Sequence, residues 1–165
     1  MTADHPDHAF DSATYRQVLG HFPTGVTVVA AMTTDGPVGM AIGSFSSVSL
    51  DPPLVLFCPQ KTSSTWTRLR EAGNFCVNIL AEDQEDVSRV FASKSDDKFA
   101  EIGWKRSGNG APQLAGVLAH IDCDIHDVLD GGDHDIVLGR VTALGVNRED
   151  GPLVFFRGGY GRVGL

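Results

Sequence analysis

Four consecutive hydroxyls preceded by a lysine, Lys61-Thr62-Ser63-Ser64-Thr65, stand directly before a helical pattern that runs to about Ala72. At a helix start the backbone N–H groups lack intrahelical partners and the dipole presents its positive end. Hydroxyl donors added there make a seat for a phosphate or a polyol. The same residues also suit simple N-capping, and spacing alone leaves the two readings level. Gly131-Gly132-Asp133-His134 lies between two strand-like runs. Its composition is that of a hairpin turn, and spacing favours that reading. The functional alternative puts an imidazole at a strand mouth, beside whatever the fold holds.

Other groupings lead less far. His120, Asp122, Asp124 and His126 alternate along one segment and so share a face, as metal ligands could. Alternation with Ile121, Cys123 and Ile125 is also the pattern of a half-solvated strand, and on that reading no metal is assigned. Gly159 to Gly164 spells GxGxxG, but that motif works only where a strand feeds a helix, and here one residue follows it. Cys58, Cys76 and Cys123 have no CxxC spacing and sit in apolar runs, which predicts small buried thiols in a reducing compartment. The chain contains neither HExxH nor GxSxG, so hydrolase and metalloenzyme readings have little support.

The elements that must position these groups are mostly strands. Asp11-Ser12 caps a helix over 13–21, with Tyr15, Val18, Leu19 and Phe22 at helical spacing. Runs at 26–32 and 38–42 flank a turn at Thr34-Asp35-Gly36-Pro37 and predict a hairpin. Residues 44–50 alternate, with Phe45, Ser47 and Ser49 on one face, until Asp51-Pro52-Pro53 breaks the ladder. Residues 54–58 read as a central strand and 75–80 as another. Asp83 and Asp86 open an acidic helix through Val87, Val90 and Phe91. An excursion over 93–113 has Trp104 as its anchor, and strands follow at 114–130, 134–147 and 152–157. Spacing this short excludes a series of βαβ crossovers. The expected fold is mainly β with peripheral helices, a six-stranded antiparallel barrel in a single domain over 11–165 after a flexible start at 1–10.

Composition narrows the partners. The chain has 165 residues, 42% hydrophobic and 21% charged, as one globular domain requires. A net charge of −8 without any basic block argues against nucleic acid or an anionic membrane as partner. The first residues carry no signal-peptide pattern, and no apolar run is long enough to span a bilayer, so a cytoplasmic protein is expected.

FPTGVTVV (22–29), PVGMAIGSFSSVSLDPPLVLFCPQKTSSTW (37–66), FCVNIL (75–80), DDKFA (96–100), GGDHDIVLGRV (131–141) and PLVFFRGGY (152–160) together resemble the short-chain flavin reductase family. The family fold is the FMN-binding split barrel. Within it the sequence is most similar to reductase components that serve actinobacterial steroid-ring hydroxylases. The resemblance implies an NAD(P)H:flavin oxidoreductase that reduces free FMN or FAD for a separate oxygenase, and it also implies a homodimer. A terminal segment whose charged candidates are only Arg157 and Arg162 favours NADH over NADPH. A non-enzymatic flavin-binding or electron-carrier protein is the alternative.

Carried over by position, the flavin contacts fall on Pro37, Val38, Gly39, Met40, Ala41, Gly43 and Ser44, on Cys58, Pro59 and Gln60, on Ser64 and Thr65, and on Val90 and Phe91. The nicotinamide side falls on His134, Arg157, Gly158, Gly159 and Tyr160. Hydride passes between the two cofactors, so the resemblance implies no catalytic side chain. Where close relatives carry arginine just before the Phe91 position, this chain has Val90, with Arg89 one place earlier.

Overall fold

The computed structural model describes residues 9–164, so the expected flexible start lies almost wholly outside the described residues. Helix α1 (Ser12–Leu19) is capped as predicted, the Thr14 N–H donating to Asp11 Oδ1 at 2.8 Å. β1 (Thr24–Gly25) precedes the predicted hairpin of β2 (Thr27–Thr33) and β3 (Gly36–Ile42). β4 (Ser46–Leu50) and β5 (Pro53–Phe57) form a second hairpin, followed by α2 (Ser64–Ala72), β6 (Asn74–Ile79) and α3 (Glu85–Ala92). The excursion holds an unforeseen hairpin, β7 (Trp104–Arg106) with β8 (Pro112–Leu114). Two long strands, β9 (Ala119–Gly131) and β10 (His134–Val146), precede β11 (Leu153–Phe156) and β12 (Gly159–Arg162).

Seven strands hydrogen-bond in the order β3-β2-β6-β9-β10-β5-β4, and β1-β11-β12 make a separate sheet. All pairings among the described residues of these two sheets are antiparallel. A closed six-stranded ring is not formed. β3 and β4 are the edges of the larger sheet and do not pair with each other.

β2 explains where the core sits. Residues Thr27 to Ala31 are all buried, so the strand is covered on both faces. Val29 and Ala31 join a cluster around Phe57, Trp66, Phe75 and Val137, while Val28 joins one around Leu80, Phe91, Leu114 and Leu153. Each fully buried aromatic or aliphatic side chain contributes about 1.5–3 kcal/mol relative to exposure.

Four expectations need correction. β5 is not central but lies one strand from the edge, and only Val55 and Phe57 are buried, so its apolar run alternates after all. Alternation in β4 fails at Val48, where the register shifts between Ser47 and Ser49 as at a bulge. The prolines after it turn the ladder without ending it: the Asp51–Pro52 peptide is cis, and Pro53 opens β5 opposite Leu50. The last predicted strand is a hairpin, because Arg157 (φ 52°) and Gly158 (φ 77°) form a two-residue turn and return the chain as β12. The GxGxxG string therefore begins in a strand, without a following helix among the described residues.

Candidate functional site

Two cavities share the wall residues Met40, Ala41, Gln60 and Ser63. The larger, about 850 Å³, runs along β3 from Pro37 to Ala41, past Thr62–Thr65 and Arg68, to Phe91 and the segment from Ala92 to Phe99. The smaller, about 400 Å³, is bounded by Ile42, Gly43, Ser44, Cys58, Pro59 and His134. Both volumes fall within the roughly 300–1,000 Å³ typical of cofactor pockets.

β3 supplies the central wall because it is an edge strand. One side pairs with β2, and the other leaves backbone N–H and C=O groups without a strand partner. One such group, the Gly39 carbonyl, accepts from Lys98 Nζ at 3.3 Å, and the same ammonium reaches the Phe91 carbonyl at 3.1 Å near the end of α3. Partial burial among these neutral acceptors holds the Lys98 ammonium below the ordinary lysine pKa. Gly39 is required by contact: a Cβ there would lie 2.9 Å from Phe91 Cε1 and 3.3 Å from Phe99 Cζ. The Phe91 and Phe99 rings meet edge to face with centroids 5.0 Å apart.

The opposite wall is the start of α2. Ser63 caps it, accepting the Trp66 N–H at 3.2 Å, while Gly73 at φ 81° ends the helix. Capping therefore falls to Ser63, and Thr62, Ser64 and Thr65 also line the cavity.

The β9–β10 turn is bound to the loop before α2. Lys61 N–H donates to the Asp133 carbonyl at 3.0 Å, Asp135 N–H to the Pro59 carbonyl at 3.0 Å, and Trp66 Nε1–H to Asp135 Oδ2 at 2.8 Å. Lys61 also pairs with Asp130 and lowers that carboxyl's pKa by its hydrogen bond. These bonds bring His134 to the smaller cavity. Its Nδ1 lies 2.7 Å from Asp133 Oδ1. A carboxylate only accepts, so Nδ1 carries the proton and Nε2 is the free ring nitrogen. The same bond holds the Asp133 carboxyl below its usual pKa.

Of the carried-over flavin positions, Pro37 to Ala41, Gly43, Ser44, Cys58, Pro59, Gln60, Ser64, Thr65 and Phe91 line one cavity or the other. Ser44 and Cys58 are joined directly, the Cys58 N–H donating to Ser44 Oγ at 2.9 Å. Val90 lines neither. Arg157, Gly158, Gly159 and Tyr160 also lie outside both. Tyr160 instead backs α3: its hydroxyl is 2.8 Å from Ser88 Oγ, and the Arg89 guanidinium lies over its ring at 5.0 Å. Sequence reasoning missed Arg68 and the wall from Ser93 to Lys98. The signal available was SKSDDK, a polar and charged run directly after an amphipathic helix.

The remaining groups are structural. Ser107 Oγ lies 2.6 Å from both oxygens of buried Asp122, and His120 Nδ1 meets Asn147 Oδ1 at 2.8 Å. Asp124 and His126 face outward, and no group of three metal-ligating side chains occurs among the described residues. Burial pushes the Cys76 thiol well above its usual pKa and the Cys123 thiol to about 12, so neither is a ready nucleophile.

Comparison with known proteins gives one answer. Residues 19–164 match the flavin reductase like domain. A flavin reductase of Pseudomonas putida is 52% identical, over 93% of this chain and 91% of its own. The reductase subunit HsaB of a flavin-dependent monooxygenase from Rhodococcus jostii is 51% identical, over 92% of this chain and 78% of its own. The structure of the Streptomyces globisporus NADH:FAD oxidoreductase SgcE6, solved with NAD and FAD fragments, superposes with a TM-score of 0.89 at 41% identity over 93% of each chain. The match over residues 19–164 and a sequence half identical to such reductases place the chain in the flavin reductase-like family.

Proposed function

We infer that this flavin reductase takes hydride from NADH, reduces a flavin it holds loosely, and releases the reduced flavin to a separate oxygenase. The observation that carries the reading is the convergence of three distant segments, 37–44, 58–65 and Phe91, on one pair of joined cavities. Relatives named as an NADH:FAD oxidoreductase and as a monooxygenase reductase subunit support the nucleotide and the partner.

The residues present fit a flavin. An edge strand offers amide hydrogen bonds, the α2 start offers hydroxyls for a phosphate, and Phe91 gives an aromatic wall. When bound, flavin and nicotinamide supply the hydride chemistry between themselves. The chain's own residues hold the two in register and keep water out, and most of the acceleration comes from that positioning. Asp133 fixes the His134 tautomer, and His134 orients the nicotinamide from the smaller cavity. Arg157, Gly158, Gly159 and Tyr160 would meet the nucleotide beyond the cavities. Val90 supports the flavin wall from within α3 and makes no direct contact.

The split-barrel description of the fold belongs to the same reading. So does a homodimer. α1 buries none of its residues, and Tyr15, Val18, Leu19 and Phe22 stay exposed beside Phe155 and Phe156. The Arg157 N–H bond to the Gly20 carbonyl, 2.8 Å, joins the two parts of that apolar surface. A cytoplasmic location fits three unpaired thiols, and no helix among the described residues is long and apolar enough to cross a membrane.

Steady-state NADH oxidation with FMN, FAD and riboflavin tests the reading. Added flavin should raise the rate, and NADH should exceed NADPH in kcat/KM, since Arg157 and Arg162 are the only cations in the terminal segment. Tight stoichiometric flavin without turnover would return the carrier alternative.

A further inference from the structure

The β9–β10 hairpin carries His134 on a stem that works against itself. Asp130 and Asp135 stand directly opposite each other across the two strands, so their side chains share a face. Like charges in that arrangement destabilise a hairpin. Each carboxylate finds its partner outside the hairpin, in the stretch 61–66. Asp130 pairs with Lys61, and Asp135 Oδ2 accepts Trp66 Nε1–H at 2.8 Å.

The two ties are unequal. Lys61 and Asp130 pair with side chains 40% and 79% exposed, where an ion pair contributes little and salt screens it. Asp135 is half-buried, and Trp66 is 2% exposed. The indole meets Phe57 edge to face with centroids 6.0 Å apart, and the Trp66 backbone N–H is the one that Ser63 caps. Ser63 lines both cavities. One core side chain thus connects the start of α2 to the residue after His134. Two backbone bonds, Lys61 N–H to the Asp133 carbonyl and Asp135 N–H to the Pro59 carbonyl, flank the bridge that sets Gln60 opposite His134. Those bonds join loop to turn, whereas the indole bond joins the turn to a packed helix.

We propose that Trp66 and Asp135 are positioning residues for hydride transfer, their hydrogen bond setting His134 against the α2 wall so that nicotinamide and flavin meet in register. Neither residue lines a cavity, so both act through the imidazole. The proposal rests on His134 serving the nicotinamide side. Misplacing reacting groups by about 1 Å can cost about 100-fold, and with both backbone bonds left the loss here should be about five- to tenfold.

Asp135→Ala, Asp135→Asn and Trp66→Phe are compared with the parent and with His134→Ala by NADH kinetics at saturating flavin. Asp135→Ala leaves the core intact and should lower kcat/KM by that factor, with the loss in kcat and little change in KM. Trp66→Phe keeps a ring in the core, removes the donor and should give the same loss. Asparagine retains an oxygen that accepts the indole N–H, so Asp135→Asn should recover most of the rate. In the His134→Ala background Asp135→Ala should cost nothing further, because the two act as one unit. Flavin affinity, read by fluorescence quenching, should hold throughout. An Asp135→Ala protein that melts earlier but keeps the parent's kcat/KM would make the bond purely structural and overturn the proposal. So would equal losses for asparagine and alanine, or an undiminished loss in the His134→Ala background. Parental NADH kinetics in His134→Ala itself would remove the reading of His134 and the proposal with it, an outcome distinct from the others.

Discussion

The β3 wall of the paired cavities and the C-terminal hairpin both contain glycine but use it in opposite ways. Along β3 the backbone itself forms the wall, and the residues beside Gly39 line the cavity because the strand has a free edge. In the β11–β12 hairpin the glycines serve a turn, and Tyr160 faces the back of α3. α3 touches both: Phe91 and Ala92 look into the cavity, while Ser88 and Arg89 hold Tyr160. α3, a helix of eight residues, therefore joins the cavity wall to the hairpin.

The largest effect should come from filling the cavity wall. Gly39→Val places atoms inside the Phe91–Phe99 contact, and overpacking of about 1–3 kcal/mol should weaken flavin binding by up to about 100-fold. Fluorescence titration would measure it, and an unchanged affinity would show that β3 is not the wall.

Next in size is His134→Ala. Loss of one positioning contact should lower kcat/KM for NADH by about 10–100-fold, roughly 1.4–2.7 kcal/mol, while flavin affinity holds. A collapsed flavin affinity with intact NADH kinetics would move His134 to the other cofactor.

Tyr160→Phe probes the hairpin. It removes one hydroxyl contact to Ser88 and keeps the ring under Arg89, so about 0.5–1.5 kcal/mol should disappear from thermal stability. NADH turnover should change less than for His134→Ala. A larger kinetic loss than that variant would make Tyr160 a direct contact.

The smallest effect concerns the brace between α3 and the hairpin's approach. Arg148 binds Asp83 through two nitrogens, at 3.0 and 2.9 Å, and its hydrogen bond holds the Asp83 carboxyl below the usual aspartate pKa. A depressed carboxylate pKa adds stability above the unfolded value, about 3.9, and that gain is lost as pH falls through the folded value. Asp83→Asn should therefore cost within about 1 kcal/mol at pH 7, and the difference from the parent should shrink as pH falls below the unfolded aspartate value in parallel melts. A difference independent of pH would sink the electrostatic account.

The sequence was informative wherever a local signal and the fold agreed. Asp11, Ser63 and Gly73 mark helix ends by types that suit their backbone roles. Thr34 to Pro37 marks the first hairpin, and all but one of the carried-over flavin positions reach a cavity. Val90 did not, since it lies on α3 one step round from Phe91, off the face that Ser88 and Phe91 bury. The order of strands was not readable, because β5 looks like a central strand whichever neighbours it finds. Nor was the exposure of α1: helical spacing marks an apolar face but does not name what covers it. The 93–98 wall lacked any periodic signal. It is placed by Lys98 and by the Phe91–Phe99–Trp104 ring contacts, all of them long-range or side-chain facts.

One detail of β3 bears on how the protein behaves in a crowded solution. A free strand edge is a template for another chain's strand, and proteins with long bare edges aggregate through them. This edge carries Pro37, which has no N–H to give, and a Gly39 carbonyl already occupied by Lys98. A foreign strand would find its ladder interrupted at two successive odd positions on the same edge. The same two residues therefore deny the edge to a polypeptide.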